Sequence, residues 1–478
     1  MKIRSYSILA LWFCLTPPLL AAQQSSGAPD AAASASSDAK SVPVAPVTGV
    51  TAWNPGETAE DTSLDLPQLP TLLGGRETSL AFTSELERSN YLRGGVNVGA
   101  AYDDNALLAP SAPLSNTSFS VFPNLDLELT RPRMRWDLGY AGGLTVNEEL
   151  ASRDQGSQDV SLDSLFRLTP HVSLRLAEHF SLTTGVFDAA GNGALPAGPS
   201  SETNSYLFTP LATQRSSLTT AQTTYHFAPN DLTGVSGSFY ALHFSDTPTS
   251  GTLVDTRSAS GVAFWLHRLF RKDWAGLTYR FQRLVFDPGD AGTRVQSALV
   301  VNTLTVRDRF SFTVFAGPQY SVSEGVAGSV PPVATAQTTG TSAAGGAELG
   351  WHAPRTTVTA GVSRGISDGG GILGAVRLLS VHAEARQELI AGWAFGLGGS
   401  HGVSQPLVPL DGGPNSVHTT SVNASVERNL GKSLGFQMGY SHDLQQQLGL
   451  ADPALQGLAH RNRYFVTLNY QWSKPLGM

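Results

Sequence analysis

Few groups in this chain have the residue types and spacing that chemistry needs. Gly398-Gly399-Ser400-His401-Gly402 matches G-x-S-x-G, which exposes a nucleophilic serine when it forms a sharp strand-to-helix turn. It lies inside an alternating stretch, 393–403, with no helical pattern behind it, so it reads as small residues of a strand. Gly369-Gly370-Gly371-Ile372-Leu373-Gly374 contains G-x-G-x-x-G, but a dinucleotide site needs a βαβ unit. Strand-like sequence flanks it on both sides, and a flexible loop is the better reading. The eleven histidines are scattered without H-x-x-x-H or H-E-x-x-H spacing, and the only cysteine is Cys14. His352, His382 and His401 fall in or beside strand-like stretches, where a polar lumen position explains them. No catalytic residue, metal ligand or cofactor site is singled out, and the expectation is a protein that is not an enzyme and carries no cofactor.

The charged residues form a different kind of pattern. Arg93, Asp126, Glu128, Arg133, Arg135, Asp137, Arg167, Arg280, Glu384 and Arg386 occupy positions that alternate with apolar ones. Asp163, Gln282, Glu348 and Glu427 follow the same rule. Successive side chains of a strand point to opposite faces. One face is therefore apolar and the other carries both signs of charge. Such a charged row lines a water-filled passage or braces a wall with ion pairs, since buried charge must be paired or hydrated. Only five of the 31 basic residues are lysine. Arginine suits planar contacts to carboxylates, phosphates and sugar faces.

The elements that must position these rows are strands of a membrane barrel. Charged residues make up 14% of the 478, against roughly 25% in an average soluble protein, and mean hydropathy is near neutral at -0.07. That balance results when apolar and small polar residues alternate. A net charge of -7 without a basic patch argues against nucleic acid as a partner. From Tyr91 onward, stretches of about 10 to 15 residues alternate and are divided by turn residues. Met134, Trp136, Leu138 and Tyr140 oppose Arg133, Arg135, Asp137 and Gly139; Tyr464, Val466, Leu468, Tyr470 and Trp472 oppose Thr467, Asn469 and Gln471. No run of 18 apolar residues follows the N-terminal segment, so helical spans are not expected.

Ahead of the barrel, residues 1–22 read as a secretory signal: Lys2 and Arg4, an apolar run from Ile8 to Leu15, and a Leu-Leu-Ala-Ala exit. Residues 23–60, rich in Ala, Ser, Pro, Gly and Gln, read as a disordered linker. Residues 61–90 contain a run of leucines and are assigned to the periplasm or the barrel mouth, and 91–478 to the barrel.

Connection lengths give the barrel a direction. Short ones recur at 130–133, 168–171, 228–231, 268–273, 306–309, 353–356, 389–392 and 430–433, and longer Gly/Pro/Asp-rich ones lie between them. This is an up-and-down barrel with tight periplasmic turns and longer external loops. The count is 18 antiparallel strands, with 16 as the alternative, and an even number puts both chain ends in the periplasm. Trp136, Trp265, Trp274, Trp351, Trp393 and Trp472 all fall near a short turn or the C-terminal strand end. Indole favours the headgroup layer, so they are expected to form one interface girdle.

Two stretches carry a family resemblance. "GAAYDDNALL" at 99–108 and "RLTPHVSLRLAEHFSLTTG" at 167–185 resemble the outer-membrane β-barrel porin families of Gram-negative bacteria, some of them linked to exopolysaccharide export. In those families a Tyr-Asp-Asp-Asn element follows the first strand, matched here by Tyr102, Asp103, Asp104 and Asn105. The resemblance implies an outer-membrane barrel with no catalytic residues to carry over. One departure is the tail Ser473–Met478 after Trp472, where such barrels usually finish on an aromatic residue. Trp472 is read as the end of the strand that the barrel assembly machinery recognises. The expected function is porin-like passage of hydrophilic solutes, saccharides among them. The alternative is a non-conducting accessory barrel of an envelope or exopolysaccharide secretion system. The expected surroundings are outer-membrane lipid and lipopolysaccharide; the oligomeric state is not read from the sequence.

Overall fold

The computed structural model describes residues 90–476. Within that range the connecting segments 151–153, 184–212, 246–252, 288–290, 325–336, 409–414 and 449–457, and positions 111, 271, 307–308, 372, 390–391 and 432, are not described. The signal, linker and leucine-rich segments assigned within 1–89 lie outside the described residues.

Eighteen strands follow one another. They are β1 (Asn90–Asp103), β2 (Asn116–Arg131), β3 (Met134–Asn147), β4 (Gln155–Thr169), β5 (Val172–Thr183) and β6 (Thr213–Ala228). Next come β7 (Asp231–Ser245), β8 (Asp255–Phe270), β9 (Asp273–Asp287), β10 (Ala291–Val306), β11 (Phe310–Glu324) and β12 (Thr338–Ala353). The last six are β13 (Thr356–Gly369), β14 (Leu373–Glu388), β15 (Trp393–Pro406), β16 (Ser416–Asn429), β17 (Leu434–Leu448) and β18 (Leu458–Leu476). Each pairs antiparallel with its neighbours in sequence, and β1 pairs with β18 over Asn90–Asp103. The sheet closes on itself, so no edge is left with unpaired backbone groups.

The outside of the closed sheet is apolar. Leu125, Trp136, Leu138, Tyr140, Leu277, Tyr279, Val300, Val466 and Leu468 are all exposed, each on the outward parity of its strand. Exposed side chains of this kind in a closed barrel face lipid. Along the seam Trp472 stands opposite Gly94, where a Cβ would fall 2.5 Å from the indole. The glycine leaves room for the ring to lie flat against the wall.

One feature differs from the alternation of short and long connections. β9 and β10 are separated by three residues, 288–290, and β13 and β14 by three, 370–372. Two connections on the long-loop side are thus as few residues long as those on the other side. In the second, Gly370 and Gly371 take φ of 58° and 83°, a conformation that costs glycine little and other residues more.

Candidate functional site

The inner wall has two unlike halves. In the first, the register of β1, β2 and β3 sets Arg93 opposite Asp126 and Glu128 opposite Asp137. Glu128 accepts from Arg93 at 3.2 Å and forms an ion pair with Arg135 at 3.0 Å. Asp137 stands opposite Asp163 of β4, and Arg175 of β5 donates through Nε to Asp163 at 2.9 Å. Across the seam, Arg386 of β14 meets Glu427 of β16 at 2.7 Å. It passes over β15, whose inner face is reduced there to Ala394, Gly396 and Gly398, and Glu384 lies in the same rows opposite Gly398. The side chains of Arg93, Arg135 and Arg386 keep 38%, 42% and 43% of their surface exposed. Charge on this wall is paired and wet at once.

The second half runs from β7 to β11 and is packed. Tyr240, Leu242 and Phe244 form one inward cluster, Leu299, Val301, Phe315 and Ala344 another, and Leu232, Phe264, Leu266 and Trp274 a third near the short turns. Arg280 belongs to this half and is 7% exposed. It lies beside buried Gln282, which donates to Ser258 at 3.4 Å.

At the long-loop end the tip of the β13–β14 hairpin leaves the wall. Ile366 and Ala375 pack with Val254, Leu284, Phe286 and Val295, although four strands separate β8 from β13 in the sheet. The Val254 N–H donates to the Gly371 carbonyl at 2.8 Å. A Cβ on Gly371 would collide with the Phe244 ring. Leu373 and Val376 pack on the inner face of β16 through Val417. The hairpin therefore lies across part of the barrel mouth at the long-loop end. Its tip is the G-x-G-x-x-G run, whose glycines serve a positive-φ turn and a close approach to Phe244.

A second inward element is the β1–β2 connection, which begins with Asp104 and Asn105 of the Tyr-Asp-Asp-Asn run. Leu108 packs on Ala459 of β18. Asn105 donates to the carbonyls of Ala109 and His460 at 2.8 and 2.9 Å. Asp104 accepts from the Asn462 backbone N–H at 2.7 Å and from its side-chain amide at 2.5 Å. Burial alone would raise the Asp104 pKa, but these two hydrogen bonds to Asn462, with His460 and His442 nearby, hold it below the ordinary aspartate value. On the inner face Asp103 forms an ion pair with fully buried Arg461 at 2.9 Å, and Asp443 lies 3.9 Å from the same guanidinium. Sequence reading passed over this group. Its trace was Arg461-x-Arg463, two cations on one strand face, opposite the acidic end of β1.

The placement of the other candidates is mixed. Arg133 is exposed in the turn after Arg131, since β3 begins only at Met134; it does not lie on the wall. Arg167 is exposed at a register shift ending β4, and its N–H donates to the Arg133 carbonyl at 2.8 Å. Trp136, Trp265, Trp351 and Trp472 are exposed on the outward face toward the short turns. Trp393 shares that face and lies under the Arg428 guanidinium at 4.9 Å. Trp274 does not belong with them: it is 4% exposed on the inner wall, with Arg268 4.8 Å above its ring. The reason is parity, because Leu277, Tyr279 and Phe281 take the outward positions of β9. In the G-x-S-x-G run, Ser400 is on the inward parity opposite His382 and Ser421. His401 instead shares the outer face with Thr420, 2.9 Å away, so serine and histidine face opposite sides. Among the described residues no group of three or more His, Cys, Asp or Glu could hold a metal ion.

A closed 18-stranded antiparallel barrel, apolar outside and charged within, is a transmembrane barrel of the bacterial outer-membrane kind. No protein-family model and no curated protein sequence matches the chain. Among solved structures it is similar to OccK2 (OpdF) of Pseudomonas aeruginosa at 11% identity, covering 80% of this chain and 98% of that one with a TM-score of 0.43. It is similar to OccAB2 of Acinetobacter baumannii at 9%, covering 80% and 98% with a TM-score of 0.41. The ferric citrate transporter FecA matches at 8%, covering 80% and 79% with a TM-score of 0.43.

Proposed function

We propose that the barrel gives passage to small hydrophilic solutes across the outer membrane, with saccharides and their acids as the favoured class. The observation that carries this reading is the solvent exposure of inward Arg93, Arg135 and Arg386. A wall whose charge only braced a filled interior would bury those guanidiniums, as the β7–β11 half buries Arg280. Paired but accessible arginines offer planar donors to carboxylates and sugar hydroxyls without binding them tightly. The hairpin tip and the β1–β2 connection leave such a solute a narrowed entry beside the charged half.

The same narrowing favours one other reading, an accessory barrel that conducts nothing. Conductance of the purified protein in a planar bilayer separates the two. The channel reading expects steady current proportional to salt. No current from protein that keeps heat-modifiable mobility would overturn it.

A further inference from the structure

The outer surface carries a group that the passage of solutes does not use. On β8, β9 and β10, Arg257, Arg283 and Arg294 occupy outward, exposed positions. Arg283 stands directly opposite Arg294, and Arg257 lies one diagonal step away, because Ala259 opposes Arg283 and Val285 opposes Arg257. Cross-strand neighbours of like charge destabilise a sheet. Among the described residues none of the three forms an ion pair. The carboxylates on the same face lie beyond them at the rim. Asp255 stands opposite Asp287 and is engaged by His243 and by the Phe244 N–H; Glu324 ends β11.

Their level is what gives these arginines a ligand. The outward row of β9 runs Leu277, Tyr279, Phe281 and then Arg283, and that of β10 descends from Arg294 past Gln296 to exposed Val300. On β8, Trp265 marks the opposite end of the apolar band, eight residues from Arg257. At ~3.3 Å per residue and a tilt of ~40° this is ~20 Å along the barrel axis, close to the ~25 Å apolar band of such barrels. The three guanidiniums thus stand where hydrocarbon gives way to headgroups on the external side. A cation there is expensive unless an anion meets it, and phosphate accepts the bidentate geometry of arginine.

We propose that Arg257, Arg283 and Arg294 bind phosphate groups of an outer-leaflet glycolipid, with its acyl chains on the Leu277–Phe281 row. A phosphate between Arg283 and Arg294 turns a repulsive cross-strand pair into a bridged one. The site is independent of whether the lumen conducts.

The test uses the full barrel in detergent and native mass spectrometry. The probes are a bis-phosphorylated glucosamine glycolipid, its dephosphorylated form and inorganic phosphate. Wild-type protein is expected to retain the phosphorylated lipid about tenfold better than the dephosphorylated one. R283Q/R294Q should lose most of that preference while R283K/R294K keeps part of it, and millimolar inorganic phosphate should not displace the lipid. Equal retention of the two lipids by wild-type protein would overturn the proposal, even if the variants failed to fold. So would a glutamine variant that binds as well as wild type. Displacement by inorganic phosphate would replace it with a site for a free anion.

Discussion

The two halves of the inner wall solve one problem differently. On β1–β3 and β14–β16, inward arginines are paired and still partly exposed: Arg93 and Arg135 share Glu128, and Arg386 reaches Glu427. On β7–β11 the inward face is aliphatic and aromatic, packed at the external end by the β13–β14 hairpin. Exposed ion pairs contribute little to stability, about 0–1 kcal/mol each, and buried apolar side chains much more. One wall is packed, while the other keeps its arginines accessible.

The largest effect is expected from removing the hairpin tip. Replacing residues 367–374 by a two-residue turn takes away Leu373 and the Gly371 contact. Single-channel conductance should rise at least about twofold if the external mouth sets the resistance; an unchanged conductance would place the limiting constriction elsewhere. A second contrast uses two tryptophans. Trp274→Ala opens a cavity on the packed wall and should destabilise by about 3 kcal/mol or more. Trp265→Ala, on the lipid face, should cost clearly less, and equal losses in a folding titration would contradict tighter packing of the inner wall at Trp274.

Smaller effects sharpen the charged half. Arg93→Gln with Arg135→Gln leaves Glu128, Asp126 and Asp137 without those cations. The reversal potential should shift toward cations by roughly a two- to fivefold permeability ratio, the scale of a unit charge near water. A reversal potential identical to wild type would mean that this row is off the ion path. The smallest effect belongs to the seam. Because the folded Asp104 pKa is depressed, its contribution is fully present above the ordinary aspartate value. It is lost as pH falls through the lower folded value. Amide exchange at Asn462 should therefore quicken only at strongly acidic pH, and Asp104→Asn should abolish that dependence.

The strand count and the two-faced walls were legible because period-2 alternation is enforced twice, by lipid outside and by water or packing inside. Rows such as Met134–Tyr140 showed it without ambiguity. Turn proximity alone misled for Trp274, although Leu277, Tyr279 and Phe281 in the same strand already fixed its parity. Arg133 misled in the opposite way: its parity fitted the wall, but Pro132 and Arg133 make the turn. The hairpin was not legible. Ile366, Leu373 and Val376 have the composition of a lipid-facing row, and only tertiary packing on Phe286 and Val417 reveals that the tip bends inward. The Asp103–Arg461 pair left only the trace of two cations on one strand face, since its partners lie on the first and last strands.

That last separation bears on biogenesis. Asp103, Asp104 and Asn105 emerge with the first strand, while His460, Arg461 and Asn462 emerge with the last. Until both are threaded and docked, Arg461 lacks the carboxylate of Asp103 and the first connection lacks its anchor. The contacts across the seam therefore form only when the first and last strands pair. A sheet still held open would leave the guanidinium at its margin with Asp443 alone, whereas the closed cylinder buries it beside Asp103 as well.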